Sequence, residues 1–119
     1  MSMFSPSKEM MNEMVQECLG NDYLMITSVS LQATHLVIFI NKRLSPLVSN
    51  VETDFIATGF KNMMGNKGAV KIQFDLVDTK IVVMNSHLHS GMEGVSKRNN
   101  DVTQLMNKFI YGTTGNSKQ

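Results

Sequence analysis

The 119 residues contain no tryptophan, two tyrosines, two prolines and one cysteine. A lone cysteine, Cys18, closes no internal disulfide, so the fold does not depend on an oxidising compartment. An excess of charge of one sign is also missing: eleven Lys and Arg stand against ten Asp and Glu, a formal net charge of +1. No global field therefore draws in nucleic acid or an acidic membrane, and any anion must be held by a local cluster. The basic, aromatic-interleaved stretches of nucleic-acid binders are lacking too. Long hydrophobic runs are absent. The longest are of the kind Leu36-Val37-Ile38-Phe39-Ile40, whereas a membrane-spanning helix needs roughly 20 apolar residues. The opening MSMFSPSKEM has neither the basic region nor the apolar stretch of a signal peptide, so the cytoplasm is the expected compartment.

What is present suits one domain with one modest core: 42% hydrophobic and 18% charged residues. Eleven methionines are scattered over several elements, which fits filler of irregular core gaps better than a binding groove. Ser5-Pro6 reads as an N-cap with proline in the first turn of a helix. Met10, Met11, Met14, Val15, Cys18 and Leu19 then recur on one helical face, which predicts a buried, structural thiol at Cys18. Gly20-Asn21 ends the helix.

Strands are expected at Tyr23–Leu31, His35–Asn41, Val51–Gly59, Gly68–Phe74 and Lys80–Ser86. The second is apolar on both faces, as in a covered sheet, and His35 at its start reads as structural. In the fourth, Val70, Ile72 and Phe74 alternate with polar neighbours, and a short turn around Asp78 joins it to the fifth. Lys42–Asn50, containing Pro46, and Lys61–Lys67 read as loops. From Glu93 onward Val95, Val102, Leu105, Met106 and Phe109 fall on one side of a second helix. Residues 113–119 are small and polar, a flexible tail. Strands apolar on both faces call for layers on both sides, so the chain reads as part of a larger sandwich, and open sheet faces predict marginal stability or self-association.

Two segments carry chemistry. In Met64-Gly65-Asn66-Lys67-Gly68-Ala69-Val70, glycines flank an amide and a mobile cation where one strand gives way to the next, a set suited to phosphate. The same residues also suit a plain hairpin turn with a solvated lysine. The glycine spacing and the residue after lysine exclude a P-loop. In Asn85-Ser86-His87-Leu88-His89-Ser90-Gly91, followed by Arg98-Asn99-Asn100-Asp101, a histidine stands at a strand end. On residue type alone such a histidine is more often a surface or capping residue; the alternative is acid or hydrogen-bond chemistry near neutral pH. His87 and His89 have the spacing of a metal pair but lack a third ligand at a telling distance, so no metal ligand is assigned in this chain.

Together these segments, within TGFKNMMGNKGAVKIQFDLVDTKIVVMNSHLHSGMEGVSKRNND from Thr58 to Asp101, resemble the inositol polyphosphate 5-phosphatase family. The resemblance implies the endonuclease/exonuclease/phosphatase fold, a four-layer α/β sandwich, present here in part as a helix, about five mainly antiparallel strands and a helix over residues 1–112. It implies Mg²⁺-dependent hydrolysis of the 5-phosphate of a phosphoinositide lipid or a soluble inositol polyphosphate, with peripheral rather than transmembrane contact with membranes. His87 matches the family's active-site histidine. Asn66 and Lys67 match a loop on a non-scissile ring phosphate. Arg98 and Asn99 match a signature that fixes the helix behind the histidine strand, and Asn85 matches a less strict supporting position. The family's metal-binding glutamate and its later Asp, Asn and His motifs have no counterpart in this sequence. The expectation is therefore an internal fragment, inactive alone, with a catalytically dead inositol-phosphate-binding remnant or interaction module as the alternative.

Overall fold

The computed structural model describes residues 6–58 and 67–112. Helix α1, Pro6–Leu19, is followed by strands β1, Tyr23–Leu31, and β2, Thr34–Asn41. A 3-10 turn at Ser45–Leu47 leads into β3, Val48–Ala57; then come β4, Gly68–Leu76, β5, Thr79–His87, and helix α2, Val95–Leu105, which continues as a π-helical turn, Met106–Ile110. Strands β1 and β2 form an antiparallel hairpin, and β3-β4-β5 form a second antiparallel sheet with β4 in the centre. Gly20, at φ +87°, closes α1 with its N–H bonded to the Gln16 carbonyl at 2.9 Å, the left-handed C-terminus its sequence predicts.

The two sheets pack face to face, with β1 and β2 against β4 and its neighbours. Because side chains alternate along a strand, β4 divides its residues between two environments. Val70 and Ile72 are fully buried and Phe74 nearly so on the inter-sheet face. Ala69, on the opposite face, packs with Leu105 and Phe109, together with Ile56, Met84 and Leu88. Lys71 shares that face with its ammonium 5.2 Å from the Phe109 ring centroid; the stem is buried while the charge meets the ring and the Gln73 amide oxygen, 3.1 Å away. On the far side, α1 touches the hairpin through a polar row: Asn12 Oδ1 meets His35 Nε2 at 2.9 Å, Gln16 Nε2 donates to the Tyr23 carbonyl at 2.7 Å, and Lys8 donates to the Gln32 carbonyl. The order of layers is thus helix, sheet, sheet, helix, an incomplete version of the expected sandwich.

Four expectations need correction. Cys18 is exposed, not buried. The apolar stripe of α1 does not face the sheet: Met10, Met11 and Met14 are 58%, 44% and 62% exposed. The row at positions 8, 12 and 16 makes the contact instead, because a two-stranded hairpin offers carbonyls and His35 rather than a broad apolar surface. On α2, Leu105 and Phe109 are buried but Val95 and Val102 are 53% and 44% exposed, since a three-stranded sheet is too narrow to cover the whole stripe. Strand β3 also begins earlier and ends earlier than its sequence suggests. Asn50, at φ +54°, sits in a register shift between Ser49 and Glu52, so a turn-forming residue here marks a bulge and not a loop. Ser5 and the tail 113–119 lie outside the described residues.

His35 is structural, as expected, and gives the fold a pH dependence. Its ring is held between the Ser30 hydroxyl, 2.6 Å from Nδ1, and Asn12 Oδ1. Donation from Nε2 to Asn12 leaves Nδ1 to accept from Ser30, which suits the neutral ring. Burial first, and the Lys8 ammonium second, lower its pKa below the usual 6.5. The unfolded chain then binds the proton more readily, so this contribution is present above pH 6.5 and is lost as pH falls from there through the lower folded value. A melting series from pH 8 to pH 5 is expected to show Tm falling on acidification below 6.5, with the fall shallower in His35→Gln. An unchanged slope in that variant removes His35 as the cause.

Candidate functional site

Three strand ends converge at one edge of the larger sheet. In register, Ala57 pairs with Gly68 and Gly68 with His87, and the Thr58 N–H extends the ladder to the Lys67 carbonyl at 2.9 Å. Residues 59–66 lie between the two in sequence. Asn66 falls in that span, outside the described residues. Gly68 is required by space: it has φ +145°, and a Cβ there would lie 2.1 Å from the Ile56 carbonyl oxygen.

The register brings together two residues twenty positions apart. Lys67 Nζ lies 3.5 Å from His87 Nε2, with both side chains at the surface. Neither is paired with a carboxylate among the described residues. A cation beside an imidazole with no counter-charge is a place where an anion gains from both. His87 and Asn85 lie on the face of β5 turned towards the β1–β2 hairpin, the face that Gly68 and Val70 share on β4. Asn85 Nδ2 donates to the His35 carbonyl at 2.7 Å, so it ties the two sheets together below His87 and makes no contact with Lys67.

Behind the strand end, α2 holds the segment that follows His87. Arg98 donates through Nη1 to the carbonyls of Gly91, at 2.7 Å, and His89, at 3.1 Å. Asn99 is exposed; its carbonyl accepts from Thr103 Oγ1 at 3.0 Å, and its side chain makes no hydrogen bond to the strand end among the described residues. Asp101 makes that bond. It is buried, and its Oδ2 accepts from the His89 backbone N–H at 3.2 Å and from His89 Nδ1 at 2.7 Å. Sequence reasoning assigns Asp101 no role. A signal is nonetheless there: a carboxylate at 101 shares a helical face with Leu105, and a charge on a buried face is rarely left unpaired.

Among the described residues a cleft opens beside each helix. The larger, about 370 Å³, lies between α1 and the hairpin and is lined by Glu13 and Glu17 together with Asn12, Gln16, Met25 and Phe39. Its carboxylates repel the anion that Lys67 and His87 favour, and neither of those residues lines it. The smaller, about 280 Å³, lies beside α2. Among the described residues no group of three or more His, Cys, Asp or Glu is placed to hold a metal ion, and no helix is long and apolar enough to cross a membrane.

A sheet pair flanked by helices, with a lysine and a histidine meeting at the strand ends, is an α/β sandwich with an anion-favouring edge. The sequence pattern of Endonuclease/Exonuclease/phosphatase family 2 matches residues 2–119. Synaptojanin-2 of Homo sapiens is 32% identical over 107 residues, 88% of this chain and 7% of its own length. The type II inositol 1,4,5-trisphosphate 5-phosphatase of Mus musculus is 33% identical over 109 residues, 90% of this chain and 11% of its own. Among solved structures, the inositol polyphosphate 5-phosphatase domain of SpSynaptojanin, in complex with inositol (1,4)-bisphosphate and a calcium ion, superposes with a TM-score of 0.75 at 30% identity, covering 95% of this chain and 35% of that one. The chain belongs to Endonuclease/Exonuclease/phosphatase family 2 and, within it, to the inositol polyphosphate 5-phosphatases, matching part of their catalytic domain.

Proposed function

We propose that this chain carries the phosphate-binding part of a Mg²⁺-dependent inositol polyphosphate 5-phosphatase and does not turn over substrate alone. The observation that carries the reading is the 3.5 Å approach of Lys67 Nζ to His87 Nε2. In this reading His87 stands by the scissile phosphate and exchanges a proton or hydrogen bond with the oxygen that gains charge. Lys67, with Asn66, holds a second phosphate of the same ring. Asn85 and Arg98 support the strand end, the first by tying the two sheets and the second by holding the carbonyls of His89 and Gly91. The substrate is a phosphoinositide lipid or a soluble inositol polyphosphate, not nucleic acid, met in the cytoplasm or peripherally at a membrane.

The described residues do not fit a Mg²⁺ site, and one lysine and one histidine bind phosphate without supplying an activated water. The Lys67–His87 approach also favours a second reading, an inositol-phosphate-binding remnant without catalysis. A phosphate-release assay with Mg²⁺ on the 119-residue chain is expected to give no turnover above a His87→Ala control; turnover above it overturns the inactivity. Titration with a soluble inositol bisphosphate is expected to show binding that Lys67→Ala weakens about tenfold, the loss of one charge-assisted contact. Equal affinity in the two proteins removes Lys67 from the site.

A further inference from the structure

The smaller cleft, about 280 Å³, is lined by Thr58, His89, Lys97, Asn100, Asp101 and Gln104. It abuts the Lys67–His87 site by two connections, the Thr58 N–H on the Lys67 carbonyl and the two-residue step from His87 to His89, yet no residue is shared between them. Its lining is rich in groups that can donate hydrogen bonds. Lys97 offers an ammonium, and Asn100 and Gln104 offer amides. The one carboxylate, Asp101, is buried, and its Oδ2 already accepts twice from His89, so that oxygen is directed at His89 rather than at a ligand in the cleft.

Thr58 adds an independent observation. Its Oγ1 is shut off from solvent and has no hydrogen-bond partner, the only such side-chain atom among the described residues. Buried hydroxyls are nearly always satisfied, so an orphan on the wall of a polar cleft marks the place of an absent partner. His89 is also prepared. With Nδ1 donating to Asp101, the remaining ring nitrogen, Nε2, is left to accept an O–H when the ring is neutral or to donate when it is protonated. A phosphate monoester ionises for the second time near pH 6, so it offers this nitrogen either partner. A cation is disfavoured by Lys97, and an apolar ligand would leave the Thr58 hydroxyl and two amides unmet.

We propose that this cleft is a second phosphate site, in which Lys97 supplies the charge, Thr58 and the Asn100 and Gln104 amides supply hydrogen bonds, and the Asp101-held His89 ring completes the wall. A ligand with two or more phosphates, soluble or as a lipid headgroup, is the class that occupies it together with the Lys67–His87 site.

Inorganic phosphate is the first probe, followed on the full chain by NMR. The expected result is a shift of the Asn100 and Gln104 side-chain amides and of the His89 ring. Lys97→Gln, an exposed position that leaves the core intact, weakens that response about tenfold, and Thr58→Val weakens it several-fold. Lys67→Ala leaves it in place. The second probe separates the sources: a soluble inositol bisphosphate against vesicles carrying a phosphoinositide, with Lys97→Gln lowering affinity for whichever binds. Phosphate shifts confined to Lys67 and His87, or a response unchanged in both Lys97→Gln and Thr58→Val, overturn the second site while leaving the first. With the inositol bisphosphate, affinity lowered by Lys97→Gln but not by Lys67→Ala overturns the reading of Lys67 and keeps the second site.

Discussion

Gly68→Ala is expected to lower the unfolding free energy by about 3–5 kcal/mol, the sum of backbone strain and overpacking. Gly68 opens the central strand and has a neighbour on each side, Ala57 of β3 and His87 of β5. A methyl group would meet the Ile56 carbonyl oxygen at 2.1 Å and the Ala57 Cα at 3.0 Å, and φ +145° suits no L side chain. These contacts are backbone, so relief requires β3 and β4 to part, and parting them also withdraws Lys67 from His87. A domain of this size is stable by roughly 5–15 kcal/mol, so the loss is a large share of the whole. Urea unfolding monitored by circular dichroism measures it. Gly20→Ala is the control: its φ is +87° at the end of α1 but a Cβ there meets nothing within 4 Å, so it is expected to cost only about 1 kcal/mol. A Gly68→Ala protein within about 1 kcal/mol of the parent, no more than the strain of an unhindered position, would mean that the strand ends relax at little expense, and the site would lose its rigid frame.

The order of elements is legible in the sequence because each carries its own period. Strand β1 is legible to the residue, and the alternation of Val70, Ile72 and Phe74 marks a buried row. Which face of α1 meets the sheet is not legible. The methionine stripe states only that an apolar face exists; Asn12 and Gln16 win the contact because the hairpin presents His35 and the Tyr23 carbonyl. The start of β3 is hidden by Asn50, whose residue type signals a turn while its neighbours continue pairing across a bulge. At the site, the identity of Lys67 and His87 is readable from their segments, but their approach is a property of register. A slip of one residue between β4 and β5 would send His87 to the other face of the sheet. The His89–Asp101 bond is opaque for the same reason. It joins a strand end to a helix twelve residues later, and nothing in either local pattern names the other.

That bond carries the second large effect. Asp101→Ala is expected to destabilise the protein by about 2–3 kcal/mol, because it strips two donors of a buried acceptor. The His89 backbone N–H and Nδ1 both lose Oδ2, and the Asp101 side chain they lose is only 5% exposed. The partial exposure of the His89 ring, 25%, lets water replace part of the lost contact and keeps the figure below that of a fully buried pair. Asp101→Asn retains an oxygen of similar reach and is expected to recover about half the loss. The consequence for the site follows from geometry. Arg98 still holds the carbonyls of His89 and Gly91, so the segment stays near α2, but the N–H side of His89 is released two residues after His87. Amide hydrogen exchange at His89 should quicken sharply while that of Ile72, in the sheet centre, changes only with global stability. If Asp101 also positions the strand end, affinity for an inositol bisphosphate falls several-fold in Asp101→Ala, measured where both proteins are fully folded, and returns in Asp101→Asn. Unchanged affinity, with stability and exchange altered, would confine Asp101 to the fold and leave His87 held by β4 alone.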